Sequence, residues 1–195
     1  MNRLALLVLG CLVAAVVFAG EWRYSSSPVA ESPGQVARRA ELASENAIPQ
    51  PGSVYDPPKQ IRASLAIFDS DAGTRMTFYL LGTDIYCDIN ADSLREECQI
   101  EVQLDDDESV RVPMCRGRLG GMLRFDEPVE FIRTMQRGRR LRVMLTLWGF
   151  RTPTRAAARL GVMTSRTKET AEFTFDVAGL EFEAKGSEPA CSDRN

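Results

Sequence analysis

From Gln60 onward, apolar and polar residues alternate in short runs divided by turn formers. "RASLAIF" (62–68) and "RMTFYLL" (75–81) each read as a strand, joined by the turn residues of "DSDAG". "CQIEVQL" (98–104) and "SVRVPMC" (109–115) alternate cleanly on either side of "DDDE", the pattern of a hairpin. "MLRF" (122–125) is a short strand. The period then changes. In "DEPVEFIRTMQRG" (126–138), Asp126 or Glu127 can cap, Pro128 suits a first turn and Gly138 follows the last helical residue. Pro128, Phe131, Ile132 and Met135 share one face, predicting an amphipathic helix packed by that face on a sheet, against strands such as 141–147. "RLRVMLTLW" (140–148) and "AEFTFDVAGL" (171–180) close the pattern as strands. The stretch 149–169 between them reads as a long insertion, with a turn of helix over Arg155–Leu160. The predicted fold is therefore α+β and mainly β: an antiparallel sheet or sandwich of six to seven strands with one packed amphipathic helix.

Residues before Gln60 follow a different rule. Arg3, an apolar run from Leu4 to Phe18 and small residues ending at Ala19 form an export signal cleaved after Ala19. The alternative is an uncleaved inner-membrane anchor through residues 4–19. A spanning helix needs about 20 apolar residues, so cleavage is the better reading. Residues 20–59 are rich in Ser, Pro, Ala and Glu and poor in aromatics, which reads as a flexible tether, with a short helix allowed over 34–47. The expected organisation is thus a signal (1–19), a tether (20–59), a β-rich domain (60–186) and a C-terminal tail (187–195). The location is the periplasm or outside the cell.

Cysteine changes the picture next. Apart from Cys11, the cysteines are Cys87, Cys98, Cys115 and Cys191, an even set that in an exported chain points to disulfides. Cys87–Cys98 with Cys115–Cys191 is the favoured pairing, and Cys98–Cys115 across the hairpin is the alternative. The chain has no histidine and no C-x-x-C, so a structural zinc site and the Ser-His-Asp and Cys-His nucleophile systems are excluded. No cofactor or metal is expected.

The net charge is −3, but the charges are segregated. Asp84–Glu108 holds ten acidic residues and one basic, whereas Arg111–Lys168 holds fourteen basic and three acidic. Arginines outnumber lysines 21 to 3, and guanidinium suits paired oxygen acceptors. One reading is that the two segments neutralise each other as neighbouring strands. The sharper one is a face of Arg137, Arg139, Arg140, Arg142, Arg151, Arg155 and Arg159 that binds an anionic partner, either an envelope protein or an anionic polymer rather than nucleic acid. Arg140 and Arg142 would share one strand face, away from Leu141 and Val143. Catalytic signals are weak: Ser165 and Lys168 match S-x-x-K without a K-T-G partner, and the acidic residues gather at turns.

The run from a cysteine-bearing hairpin through "LRFDEP", "EFIRTMQRGRRLRVML" and "FTFDVAGLEF" resembles the small exported proteins associated with type VI secretion, of the TagO or VasI kind. It also resembles the invasion-associated locus B family. The resemblance covers residues 73–184 and is carried by Arg124-Phe125-Asp126 and by Phe175, Gly179 and Leu180, while the 149–169 insertion departs from it. It implies a non-enzymatic envelope accessory or binding module. A periplasmic inhibitor or immunity protein against a toxin, and a cell-wall hydrolase using carboxylates or Ser165/Lys168, are the alternatives.

Overall fold

A computed structural model describes residues 21–28, 36–50, 59–89, 96–117, 121–151 and 165–186. Twelve strands and one helix follow in chain order: β1 (Arg23–Pro28), β2 (Val36–Ala43), β3 (Ile48–Gln50), β4 (Lys59–Ile61), β5 (Ala63–Ser70), β6 (Gly73–Leu80), β7 (Asp88–Ile89), β8 (Glu96–Leu104), β9 (Val110–Arg116), β10 (Met122–Phe125), α1 (Pro128–Met135), β11 (Arg140–Arg151) and β12 (Ser165–Asp176). Nine strands form one sheet in the order β1-β2-β5-β6-β10-β9-β8-β11-β12. β7 pairs with β8, and β3 with β4 makes a separate small sheet. Every described strand pairing is antiparallel. The class is as the alternation predicts, mainly β with one short helix, but the strands outnumber the six to seven expected.

Three of the additional strands, β1, β2 and β3, come from the stretch that composition marks as a tether. β2 pairs along β5 from Arg38↔Asp69 to Ala43↔Ser64, and its Ala40 and Leu42 lie in the core. β1 pairs along β2 and is exposed throughout. No helix forms over 36–43: "VARRAELA" has fair helix propensity, yet the open edge of β5 and the burial of Leu42 outweigh it. Strand structure also invades the 149–169 stretch, because β11 and β12 pair out to Arg151↔Ser165.

The sheet curls on itself. Inward residues at period two, including Leu65, Ile67, Met76, Phe78, Ile100, Val143, Phe173 and Phe175, form one buried cluster. Phe78 of β6 meets Phe173 and Phe175 of β12 edge-on, with ring centres 6.1 and 6.3 Å apart, although four strands separate β6 from β12 along the sheet. The curl is fastened just beyond β2. The Glu45 amide donates to the Thr174 carbonyl at 2.7 Å. The Asn46 side-chain amide then donates to Glu172 O and accepts from Thr174 N, both at 2.8 Å. Asn46 thus stands in for a peptide group on the free edge of β12. At the other end of the seam, Trp22 donates to Val177 O, and the Tyr24 hydroxyl bonds Gly179 O and Glu181 N.

Cys87 and Cys98 form a disulfide with Cα atoms 4.4 Å apart, stapling the entry of β7 onto β8. A loop this short contributes about 2–3 kcal/mol through the unfolded state. The Cys98–Cys115 alternative fails on register: Cys98 faces Met114 on the inner side, so Cys115 points to the other face. Cys115 is itself disulfide-bonded. Cys191, its expected partner, lies outside the described residues, as do the signal segment 1–19 and the tail 187–195. Among the described residues, no helix is long and apolar enough to cross a membrane.

Candidate functional site

The predicted arginine face divides. Arg137 is exposed in the turn after α1, and Arg139 and Arg140 are exposed beyond it. Arg140 and Arg142 do lie on the face opposite buried Leu141 and Val143. A depression of about 550 Å³ brings Arg139, Arg140 and Arg142 together, but its other charged walls are Asp105, Asp106 and Asp176. Three aspartates against three arginines make the depression balanced rather than cationic. Arg142 also donates to the Gln103 side chain at 3.4 Å. The Arg151 side chain, Arg155 and Arg159 lie outside the described residues.

Asp105 has a specific task in this depression. It sits at φ 50°, where the β8–β9 hairpin turns, and its carboxylate accepts the backbone amides of Arg139 at 3.0 and 3.2 Å and of Arg140 at 2.8 Å. These bonds, from Arg140 foremost and then Arg139, hold its pKa below the ordinary 3.8, with smaller help from the two guanidinium charges. The peptide groups of the arginines, more than their side chains, therefore anchor the acidic turn to the start of β11.

Lys168 of the S-x-x-K match lies over the Tyr86 ring, 3.7 Å from its centre, and Tyr86 meets Trp148 edge-on at 5.0 Å. The Ser165 side chain lies outside the described residues. Among the described residues, no cluster of three His, Cys, Asp or Glu side chains could hold a metal ion.

A further depression is one that sequence patterns do not mark. A groove of about 540 Å³ runs between α1 and the β8–β9 hairpin. Val102, Phe125, Met135 and Leu141 form its buried floor, with half-buried Leu104, Val112 and Phe131 and exposed Val110 as walls. Phe131 stacks on Phe125 with centres 4.5 Å apart, so it turns one flank to the core and leaves the other to the groove. Charged residues surround this apolar lining: Asp107 and Glu108 from the hairpin, Asp126, Glu127 and Glu130 from the start of α1, and Arg111 opposite them. Five carboxylates against one guanidinium make the rim acidic. Three of them have a structural use as well, since negative charge near a helix N-terminus is favourable.

Such a groove can hold apolar side chains while excluding water, and its rim selects against anions. Local sequence patterns do not reveal it, because its walls come from stretches up to about forty residues apart. Helical periodicity assigns Phe131 and Met135 to the core, and Asp126 or Glu127 reads as a cap. In the fold, the surface sign of the groove is Val110, an apolar strand residue 55% exposed. Comparison of the chain with protein-family models, with curated proteins and with solved structures finds no match.

Proposed function

We propose that this protein is an exported, disulfide-stapled binding module of the bacterial cell envelope, which holds a protein partner in the groove beside α1 and turns over no substrate. The observation that carries the reading is the groove itself: an apolar trough of about 540 Å³ with Val110 and Phe131 reachable from solvent. Export is supported by Arg3, the Leu4–Phe18 run and Ala19, and by the Cys87–Cys98 bridge, which suits an oxidising compartment. The acidic rim favours a protein partner over an anionic polymer. The link to type VI secretion belongs to this proposal through Arg124-Phe125-Asp126 and Phe175, Gly179 and Leu180. Several of these residues also have structural duties: Phe125, Phe175 and Leu180 are buried, and Gly179 adopts φ 72°.

The test is capture from envelope extract on immobilised protein. Wild type should retain a protein partner that a Phe131→Asp variant, with its bridge intact and a cooperative thermal transition, fails to retain. Equal retention by the two would overturn the groove as the binding site.

A further inference from the structure

Four consecutive residues, Val110 to Pro113, line the groove. A strand turns alternate side chains to opposite faces, so an unbroken run along a cleft means that the strand presents its edge. The pairing explains why. β10 covers β9 only from Met114 to Arg116, opposite Phe125 to Leu123, and then the chain leaves the sheet to enter α1 at Pro128. β8 occupies the other edge of β9 as far as Val110. The stretch Val110–Val112 therefore has one edge directed at the groove, in the lane that β10 vacates. Pro113 has no amide hydrogen, which limits pairing at the β10 end, and the charge of Arg111 discourages indiscriminate edge-to-edge contact.

We infer that the groove takes an extended cationic peptide segment, alternating apolar and basic side chains, that adds a strand to the open edge of Val110–Val112. This deepens the binding reading above and rests on it. Backbone pairing supplies register, as in other strand-addition complexes. Apolar side chains on one face of the added strand meet Leu104, Phe131 and Met135. Lysine or arginine on the other face meets Asp107, Glu108, Asp126, Glu127 and Glu130, all exposed. Charge complementarity selects this occupant: a second copy of the same edge would bring acidic rim against acidic rim.

The experiment is a fluorescence titration of the mature protein with four short peptides. One alternates valine and lysine, one alternates valine and glutamate, and two are valine–lysine peptides N-methylated at every second amide, in opposite registers. The unmodified valine–lysine peptide should bind, weakening as salt rises to physiological strength, where screening acts over about 8 Å. A Glu127→Lys, Glu130→Lys variant should bind it about tenfold more weakly. Methylation in one register should abolish binding and in the other leave it intact, because only one set of amides faces β9. Equal binding of both methylated peptides, lost in Phe131→Asp, overturns strand addition while leaving the groove as a binding site. If no peptide binds but Phe131→Asp still loses the envelope partner, the assigned ligand chemistry is wrong and the binding reading stands. Preference for valine–glutamate likewise overturns the inference.

Discussion

At the level of single residues, the fold depends on side chains that imitate backbone. Asn46 occupies the edge of β12 with one donor and one acceptor, closing a seam that no strand closes at that point. Replacing it with alanine leaves the Thr174 amide without its partner, and Asn46→Ala should cost about 1–2 kcal/mol by denaturant unfolding. Asp105 does similar work for the start of β11. Its pKa is lower in the folded chain than in the unfolded one, so its ionised form adds stability above the ordinary value of 3.8, and that contribution fades as the pH falls through the folded value. Asp105→Asn, which tolerates the positive φ, should therefore lower the thermal midpoint at neutral pH, with the gap to wild type closing below pH 3.8. A gap that stays constant with pH would mean that the carboxylate charge is irrelevant. Asp69 shows the same economy in the interior. It is almost fully buried, yet accepts from Arg38 at 2.7 Å and from Thr74 at 3.1 Å.

Among the elements, α1 shows how a helical face is apportioned. The sequence assigns Pro128, Phe131, Ile132 and Met135 to one buried stripe. The structure buries Pro128, Ile132 and Met135 but leaves Phe131 at the stripe's margin, and it sets the helix closest to β6 rather than to β11. The reason is the hairpin of β8 and β9, which stands off from the helix and opens the groove. Ile132→Ala should therefore cost about 2–5 kcal/mol, while Phe131→Ala should cost less, about 1–2 kcal/mol, and impair partner capture. Reversal of that order in unfolding experiments would place Phe131 in the core after all. The element that follows carries a second lesson. Gly138 reads as a helix stop, but it does not adopt a positive φ; a Cβ there would approach the Leu104 side chain to 2.5 Å. It is glycine because β8 comes close, so Gly138→Val should destabilise by about 1–3 kcal/mol through overpacking.

For the molecule as a whole, the stretch before Gln60 matters most. A tether could be removed without consequence. Here, removal would take away β1, β2 and Asn46, expose the edge of β5 and uncover the core at Ala40 and Leu42. Leu42 alone is worth about 2–5 kcal/mol against a total stability of about 5–15 kcal/mol for a domain this size. A chain beginning at Gln60 should therefore show no cooperative thermal transition, whereas one beginning at Glu21 should melt cooperatively. Cooperative melting of the shorter chain would return the segment to the role of a tether.

Local chemistry determined much of this protein. The period-two runs of 62–81 and 98–115 and the helix of 126–138 could be read directly, because alternation and capping act between near neighbours in the chain. The Cys87–Cys98 bridge was legible for the same reason, its ends lying 11 positions apart in the sequence. Tertiary structure decided the rest. "VARRAELA" becomes a strand because β5 offers an edge, Asn46 matters because β12 curls round to meet it, and the backbone amides of Arg139 and Arg140 are held by Asp105 in a hairpin some thirty-five residues earlier. The groove is the clearest instance. Each of its side chains looks ordinary in its own segment, and only the early end of β10 and the departure of α1 leave an edge, an apolar floor and an acidic rim in one place, since burial and pairing are settled by contacts between segments far apart in sequence.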